Sequence, residues 1–277
     1  MRCDWKALLG ILPEEIRRQL GKEAEDSLQE LRLRIGQAPV CVMGAHTVRL
    51  SGQVTTHDIS FVINTASRYS PWTAETAARG FLTAAGGHRI GICGQAVVRN
   101  GELNGIKDPT GLCIRVARDF PGIGKCLMPL CRNLLILGPP GSGKTTLLRD
   151  IVRNLAESHA VSVVDERCEL FPAGMDRGAG LDVLSGCKKP QGIEMVLRSM
   201  GPEWIAVDEI TAKADCDALS AAQWCGVRLV ATAHAHNMTD LLSSPVYQPI
   251  VAGGLFQDVL ILSGNKTFRK EKLAVCR

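Results

Sequence analysis

Eight consecutive residues, Gly138-Pro139-Pro140-Gly141-Ser142-Gly143-Lys144-Thr145, fit the spacing GxxxxGK[ST] at every fixed position. Each residue type has a physical task there. Glycines permit a turn in which backbone N–H groups face inward around phosphate oxygens, and a following helix adds the positive end of its dipole. Lys144 can then reach the β- and γ-phosphates and the Thr145 hydroxyl can bind Mg²⁺, with Thr146 next in the helix. The context agrees, because apolar Leu134-Leu135-Ile136-Leu137 precedes the loop and helical text runs from Thr145 to Leu155. A mere strand-to-helix turn is the bland alternative.

Triphosphate chemistry also needs acids. Trp204-Ile205-Ala206-Val207-Asp208-Glu209 is an apolar strand ending in two carboxylates, Asp208 to bind Mg²⁺ through its water shell and Glu209 to polarise the attacking water. The bland alternative is a strand end beside a helix cap. A second strand ends in Asp165-Glu166-Arg167-Cys168-Glu169. Strand C-termini of an open parallel sheet converge on the ligand crevice, so Asp165 and Glu166 are further candidates, against a solvated acidic loop paired to Arg167. In Val230-Ala231-Thr232-Ala233-His234-Ala235-His236, Thr232 and His234 fall just past a strand end. His234 suits a γ-phosphate sensor or a contact with a neighbouring subunit; a structural histidine, or zinc binding with His236, are the alternatives.

These residues need elements to position them. Strands at Asn133–Leu137, Val161–Asp165, Trp204–Asp208 and Arg228–Ala233, alternating with helical text, predict a parallel sheet with crossover helices. A pair at Val259–Ser263 and Lys272–Val275 closes the chain. At the start, Asp4 caps one short helix, Pro13 opens a second and Gly21 stops it. Trp5, Leu8, Leu9, Leu12, Ile16 and Leu20 form an apolar stripe there, packed in its own domain or offered to a partner or membrane surface. Alternation predicts strands at Glu30–Ile35, Val40–Met43 and Thr47–Leu50, then helices over Asp58–Ala66 and Ala74–Ala85. Strands at Arg89–Arg99 and Leu112–Arg118 flank an Asn100-Gly101 turn. The sum is a smaller α+β domain over residues 1–124, ending in the Pro/Gly-dense Phe120–Gly124 linker, and an α/β domain over 125–277.

Composition narrows the partners. A formal charge of +4 is too small to argue for a dedicated nucleic-acid binder, and 4% aromatic residues leave few stacking platforms for single strands. Eleven cysteines without any CxxC pair read as reduced thiols. No run approaches the roughly 18 apolar residues of a membrane span, which predicts a cytoplasmic chain.

The order of phosphate loop, acidic box, Asp-Glu strand and Thr-x-His strand resembles the secretion-type ATPases, the motors of type II and type IV systems. In that family the third box usually ends in Gly-Glu, where this chain has Asp208-Glu209. Its preceding arginine is matched by Arg198 in Val196-Leu197-Arg198, and its histidine box by Leu229 to His234. Val164-Asp165-Glu166-Arg167-Cys168-Glu169-Leu170, His88-Arg89-Ile90-Gly91-Ile92-Cys93-Gly94 and Ile114-Arg115-Val116-Ala117-Arg118 look closest to the sporulation branch, the ATPase of the mother-cell-to-forespore channel. The resemblance implies a RecA-like P-loop ATPase domain with a parallel-core sheet, using ATP and Mg²⁺, in a ring of copies that is a hexamer. It implies docking on membrane-embedded channel subunits and no stable nucleic-acid partner. It also implies that N-terminal arginines, Arg89, Arg115 and Arg118, complete a neighbour's site, solvated strand arginines being the alternative. Asp165 stands where secretion ATPases often carry Glu, so which acid activates water stays open. A motor, a nucleotide-gated assembly scaffold and a nucleic-acid translocase are the functional readings.

Overall fold

Residues 28–34 alternate buried leucines with exposed polar side chains, the signature of a strand with one face on a core. In the computed structural model, which describes residues 3–44, 46–67, 80–99, 101–172, 175–264 and 267–273, this strand is central to an antiparallel sheet. The strands are β1 (Leu28–Arg34), β2 (Val40–Met43), β3 (His46–Arg49), β4 (Phe81–Thr83), β5 (Arg89–Arg99) and β6 (Glu102–Arg115). Their order is β3-β2-β1-β6-β5-β4. The inner face, including Leu31, Leu33, Cys41, Ile90 and Ile114, packs with Leu8, Ile11, Leu12, Ile16 and Leu20 of the N-terminal helices and with Ile59 and Val62 of the Thr56–Ser67 helix. The N-terminal apolar stripe therefore packs within its own unit.

Two expectations for this unit need correction. The second helix ends at Arg17, short of Gly21, and Gly21 instead caps a third short helix, Lys22–Ser27. Residues 81–83 are strand, not helix, because Phe81, Leu82 and Thr83 pair with Gly91, Ile90 and Arg89, and completing the sheet edge outweighs local helix propensity. Residues 74–79 of that predicted helix, and Asn100 of the predicted turn, lie outside the described residues.

The second unit comprises residues 120–171 and those from 176 onward; the first also takes in 172–175. Its strands are β7 (Leu134–Leu137), β8 (Val161–Asp165), β9 (Leu181–Ser185), β10 (Trp204–Ile210), β11 (Arg228–Ala233), β12 (Asp258–Leu262) and β13 (Phe268–Lys272). They run in the order β13-β12-β7-β11-β10-β8-β9, all parallel but for β13. β7, β8 and β12 are buried end to end, as strands covered on both faces must be. The Lys144–Ala156 helix contributes Leu147, Leu148, Ile151 and Leu155 to one core. The Lys189–Ser199 and Lys213–Trp224 helices contribute Ile193, Val196, Cys216 and Leu219 to another.

Asn133 stands just before β7 and clamps its neighbours: Nδ2 donates to the Leu255 carbonyl at 2.7 Å while Oδ1 accepts from Leu229 N–H at 2.9 Å. The predicted last strand lies earlier in the chain, at β13, where charged residues protect a sheet edge; residues 274–275 lie outside the described residues. β9 was not anticipated, being a half-exposed edge strand with no clean alternation. The segment 120–124 clusters with this unit, and Gly122 and Gly124 N–H groups donate to the Asp150 carboxylate at 2.9 and 2.7 Å.

His88 is fully buried in the first unit. Its Nδ1 accepts from Ala117 N–H and its Nε2–H donates to the Asp4 carbonyl, both at 3.1 Å, so only the neutral ring satisfies both contacts. Burial pushes its pKa below the ordinary 6.5, and the Asp4 carbonyl only partly offsets this. Below pH 6.5 the unfolded chain binds a proton that the folded chain refuses, so this contribution is present above 6.5 and is lost as pH falls toward the depressed folded value. Urea unfolding is expected to show a lower midpoint at pH 5.5 than at pH 7.5, and His88→Gln is expected to shrink that difference; an equal difference in both proteins refutes the assignment.

Candidate active site

β7 delivers Gly138 into a turn where a Cβ would lie 2.5 Å from Ser142 Oγ and 3.0 Å from the Leu262 carbonyl, so glycine is required there. Gly141 and Gly143 take φ of +75° and +98°, which glycine adopts without strain. Ser142 Oγ is buried and has no hydrogen-bond partner among the described residues. An orphaned hydroxyl in a glycine-hinged loop that opens a 13-residue helix fits a phosphate group. Lys144 directs its three donors to the Gly138 carbonyl (2.8 Å), the Pro139 carbonyl (3.0 Å) and His234 Nδ1 (3.3 Å). Burial pushes the ammonium pKa down, against the opposing pull of Glu209 and Asp208.

The acids of β10 are presented by a bulge. Val207 pairs with Ala231 and Ile210 with Ala233, so Asp208 and Glu209 together oppose the single residue Thr232, and Glu209 takes φ of +29°. Thr232 is fully buried within β11, not past its end as predicted. Its hydroxyl donates to Asp208 Oδ1 and accepts from Glu209 N–H, both at 2.9 Å. The Thr145 hydroxyl donates to Asp208 Oδ2 at 3.1 Å. A hydroxyl facing a carboxylate at the phosphate loop is a donor set suited to a hard cation such as Mg²⁺.

Glu209 is held at both oxygens, Oε1 lying 3.2 Å from His234 Nε2 and Oε2 3.3 Å from Arg167 Nη1. Because Lys144 can only donate to Nδ1, the proton of His234 sits on Nε2 and points to Glu209. The two partners of Glu209 were legible as residues, but their joint grip on it was not.

The other predicted residues fare differently. Asp165 is 1% exposed, and its carboxylate accepts N–H bonds from Glu169 (2.9 Å), Leu170 (3.0 Å) and Phe171 (3.0 Å). Burial pushes its pKa up while those bonds pull it down. These bonds fold the turn back onto its carboxylate. Glu166 pairs with the buried Lys189 at 2.6 Å, and Lys189 Nζ lies 3.7 Å from Asp215. Arg198 is exposed on the solvent side of its helix and pairs with Glu194 at 2.6 Å, so the structure does not bring it to the loop. Arg118 donates to the Leu28 carbonyl at 2.9 Å and the Glu25 carbonyl at 3.0 Å within its own unit. Arg89 and Arg115 are exposed and directly opposed on β5 and β6, with Arg89 over the Phe81 ring at 4.7 Å. The strand registers add Arg32 and Arg34 to the same face, which the period of two from Glu30 onward could have revealed.

The family model for "Sporulation stage III, protein AA" matches residues 4–271. The chain is 34% identical over 278 residues to "Stage III sporulation protein AA" of Bacillus subtilis (strain 168), covering 92% of this chain and 90% of that one. It is 31% identical over 281 residues to "Protein SEEDLING PLASTID DEVELOPMENT 1" of Arabidopsis thaliana, covering 96% of this chain and only 38% of that protein. Among solved structures it resembles the pilus retraction motor PilT with bound ADP, with a TM-score of 0.61 at 14% identity over 92% of this chain and 77% of that one. The Legionella pneumophila ATPase DotB gives a TM-score of 0.56 at 16% identity over 84% and 72%. The fold is therefore that of the secretion-type P-loop ATPases.

The geometry of Asp165 leads to a stability prediction. Asp165→Ala strands three backbone N–H groups, two of them on buried residues, and each costs about 1–3 kcal/mol to leave unmet. Denaturant unfolding is expected to show a loss of at least about 2 kcal/mol, and a variant as stable as the parent contradicts the structural role.

Proposed function

The chain belongs to the sporulation stage III, protein AA family, and from that premise we propose that it hydrolyses ATP as one subunit of a ring that energises a secretion-like channel. The observation that carries this reading is the linkage from Lys144 through His234 to Glu209, which ties the phosphate loop to the candidate base. Gly138 to Thr146 would receive the triphosphate, with Thr145 and Asp208 as the residues to hold Mg²⁺. The cation, when bound, would supply positive charge to offset the charge that develops on the phosphates.

Lys144 has no spare donor in its present arrangement, so turning toward a phosphate means releasing a contact, and the longest is that to His234. His234 is then the group that registers phosphate occupancy and passes it to Glu209. Glu209 accepts a proton from the attacking water, the water oxygen bonds to the γ-phosphorus, and the bond to the β-phosphate oxygen breaks.

Arg89 and Arg115 support the ring. They stand directly opposed on neighbouring strands and exposed, with Glu30 opposite Arg115 on the other side, and so present two cations together at the surface. We read them as donors to the nucleotide of an adjacent copy, in a hexamer docked on membrane-embedded channel subunits at the cytoplasmic face. Among the described residues no helix is long and apolar enough to cross a membrane.

Steady-state ATPase activity against protein concentration tests the reading, with Lys144→Ala as the blank. Specific activity is expected to climb with concentration, and Arg89→Ala is expected to lose on the order of 10³-fold, the scale of an arginine donated across an interface. Flat activity above the blank removes the donated arginine. A Glu209→Gln protein that still supports channel function favours a nucleotide-gated scaffold over a motor.

A further inference from the structure

The turn after β8 is anchored at nearly every residue. Asp165 ties down the N–H groups of residues 169–171, and Cys168 N–H donates to the Asp165 carbonyl at 3.2 Å, with Cys168 at φ of +56°. Glu166 is fastened to Lys189, a side chain only 6% exposed. Arg149 of the phosphate-loop helix donates to the Glu169 and Leu170 carbonyls. Arg167 of this braced segment reaches outward, 59% exposed, with its guanidinium on Glu209. A single exposed ion pair contributes little to folding, so stability alone does not account for the Arg167–Glu209 contact at the tip of this turn.

We propose that Arg167 is a positioning residue for the water-activating carboxylate. It grips Oε2 of Glu209 while His234 grips Oε1, which fixes the rotation of the carboxylate and directs a remaining lone pair at the attacking water. Two rigid supports meet at this contact, the braced turn on one side and the Thr232-locked bulge on the other. A base held from both sides needs no search for its working orientation, and small misplacements of such groups are expensive in rate. The proposal rests on the reading of Glu209 as the base.

The test is a double-mutant cycle in the full-length protein, using Arg167→Ala, Arg167→Lys, Glu209→Gln and the Arg167→Ala/Glu209→Gln pair in steady-state ATPase assays. Arg167→Ala is expected to lower kcat about tenfold, a part of the 10²–10⁴ that a positioned base supplies, with KM for ATP unchanged. Arg167→Lys is expected to recover part of that loss. In the Glu209→Gln background, Arg167→Ala is expected to cause no further loss of the residual rate, because it acts only through the missing carboxylate. A several-fold rise in KM with kcat retained overturns the proposal and makes Arg167 a phosphate ligand. An equal loss in both backgrounds, or wild-type kcat in Arg167→Ala beside an inactive Glu209→Gln, also overturns it. Full turnover in Glu209→Gln itself identifies the failure as that of the base reading, and the proposal falls with it.

Discussion

One hydroxyl sets the geometry of the site. In a regular strand, Asp208 and Glu209 project to opposite faces of the sheet, and only one of them could meet the phosphate loop. The bulge on β10 breaks that alternation, and Thr232 locks it by donating to the Asp208 carboxylate while accepting the Glu209 N–H. The left-handed backbone at Glu209 is the strain this lock sustains. With the bulge in place, Thr145 reaches Asp208 from the loop, and His234 and Arg167 reach Glu209 from the two flanking strands. Without it, the two halves of the chemistry would face different solvent.

The same economy governs the loop. A buried ammonium is costly without partners, and two loop carbonyls and a histidine satisfy Lys144. Its position is therefore a rest position defined by competition, one that a phosphate oxygen must win. Ser142 supplies the complementary imbalance, an acceptor and donor with no partner among the described residues. A saturated cation beside an unsatisfied hydroxyl gives the loop two arrangements with different partners, and that difference is what a ligand can act on.

How much of this was legible depended on range. The loop from Gly138 to Thr145 could be read because its chemistry is local: spacing alone dictates turn, cation and hydroxyl. The buried parallel strands were legible as apolar runs, and the alternation of β1 gave both its inner leucines and its outer arginines. What escaped was decided by distant partners. Nothing near Asp165 says that the N–H groups of residues 169–171 fold back onto it, and nothing near Arg118 says that carbonyls of residues 25 and 28 will claim it. β9 escaped for the opposite reason, because an edge strand with one neighbour and partial burial carries little pattern.

Three strand-end acids compete for one chemical task, and their surroundings sort them. A general base needs an accessible lone pair and a fixed direction. The Asp165 oxygens are already accepting three backbone N–H groups in a site closed to solvent, so proton transfer there would undo the turn. Glu166 is paired with a lysine that is itself buried, and moving it would leave that charge only the longer contact with Asp215. Glu209 keeps a quarter of its side chain exposed, and its two partners sit at its edges, leaving lone pairs for water. The acid that looks least constrained in sequence, at the tip of an apolar strand, is thus the one the fold both orients and leaves open. The two that look equivalent to it serve to stiffen the turn that carries Arg167.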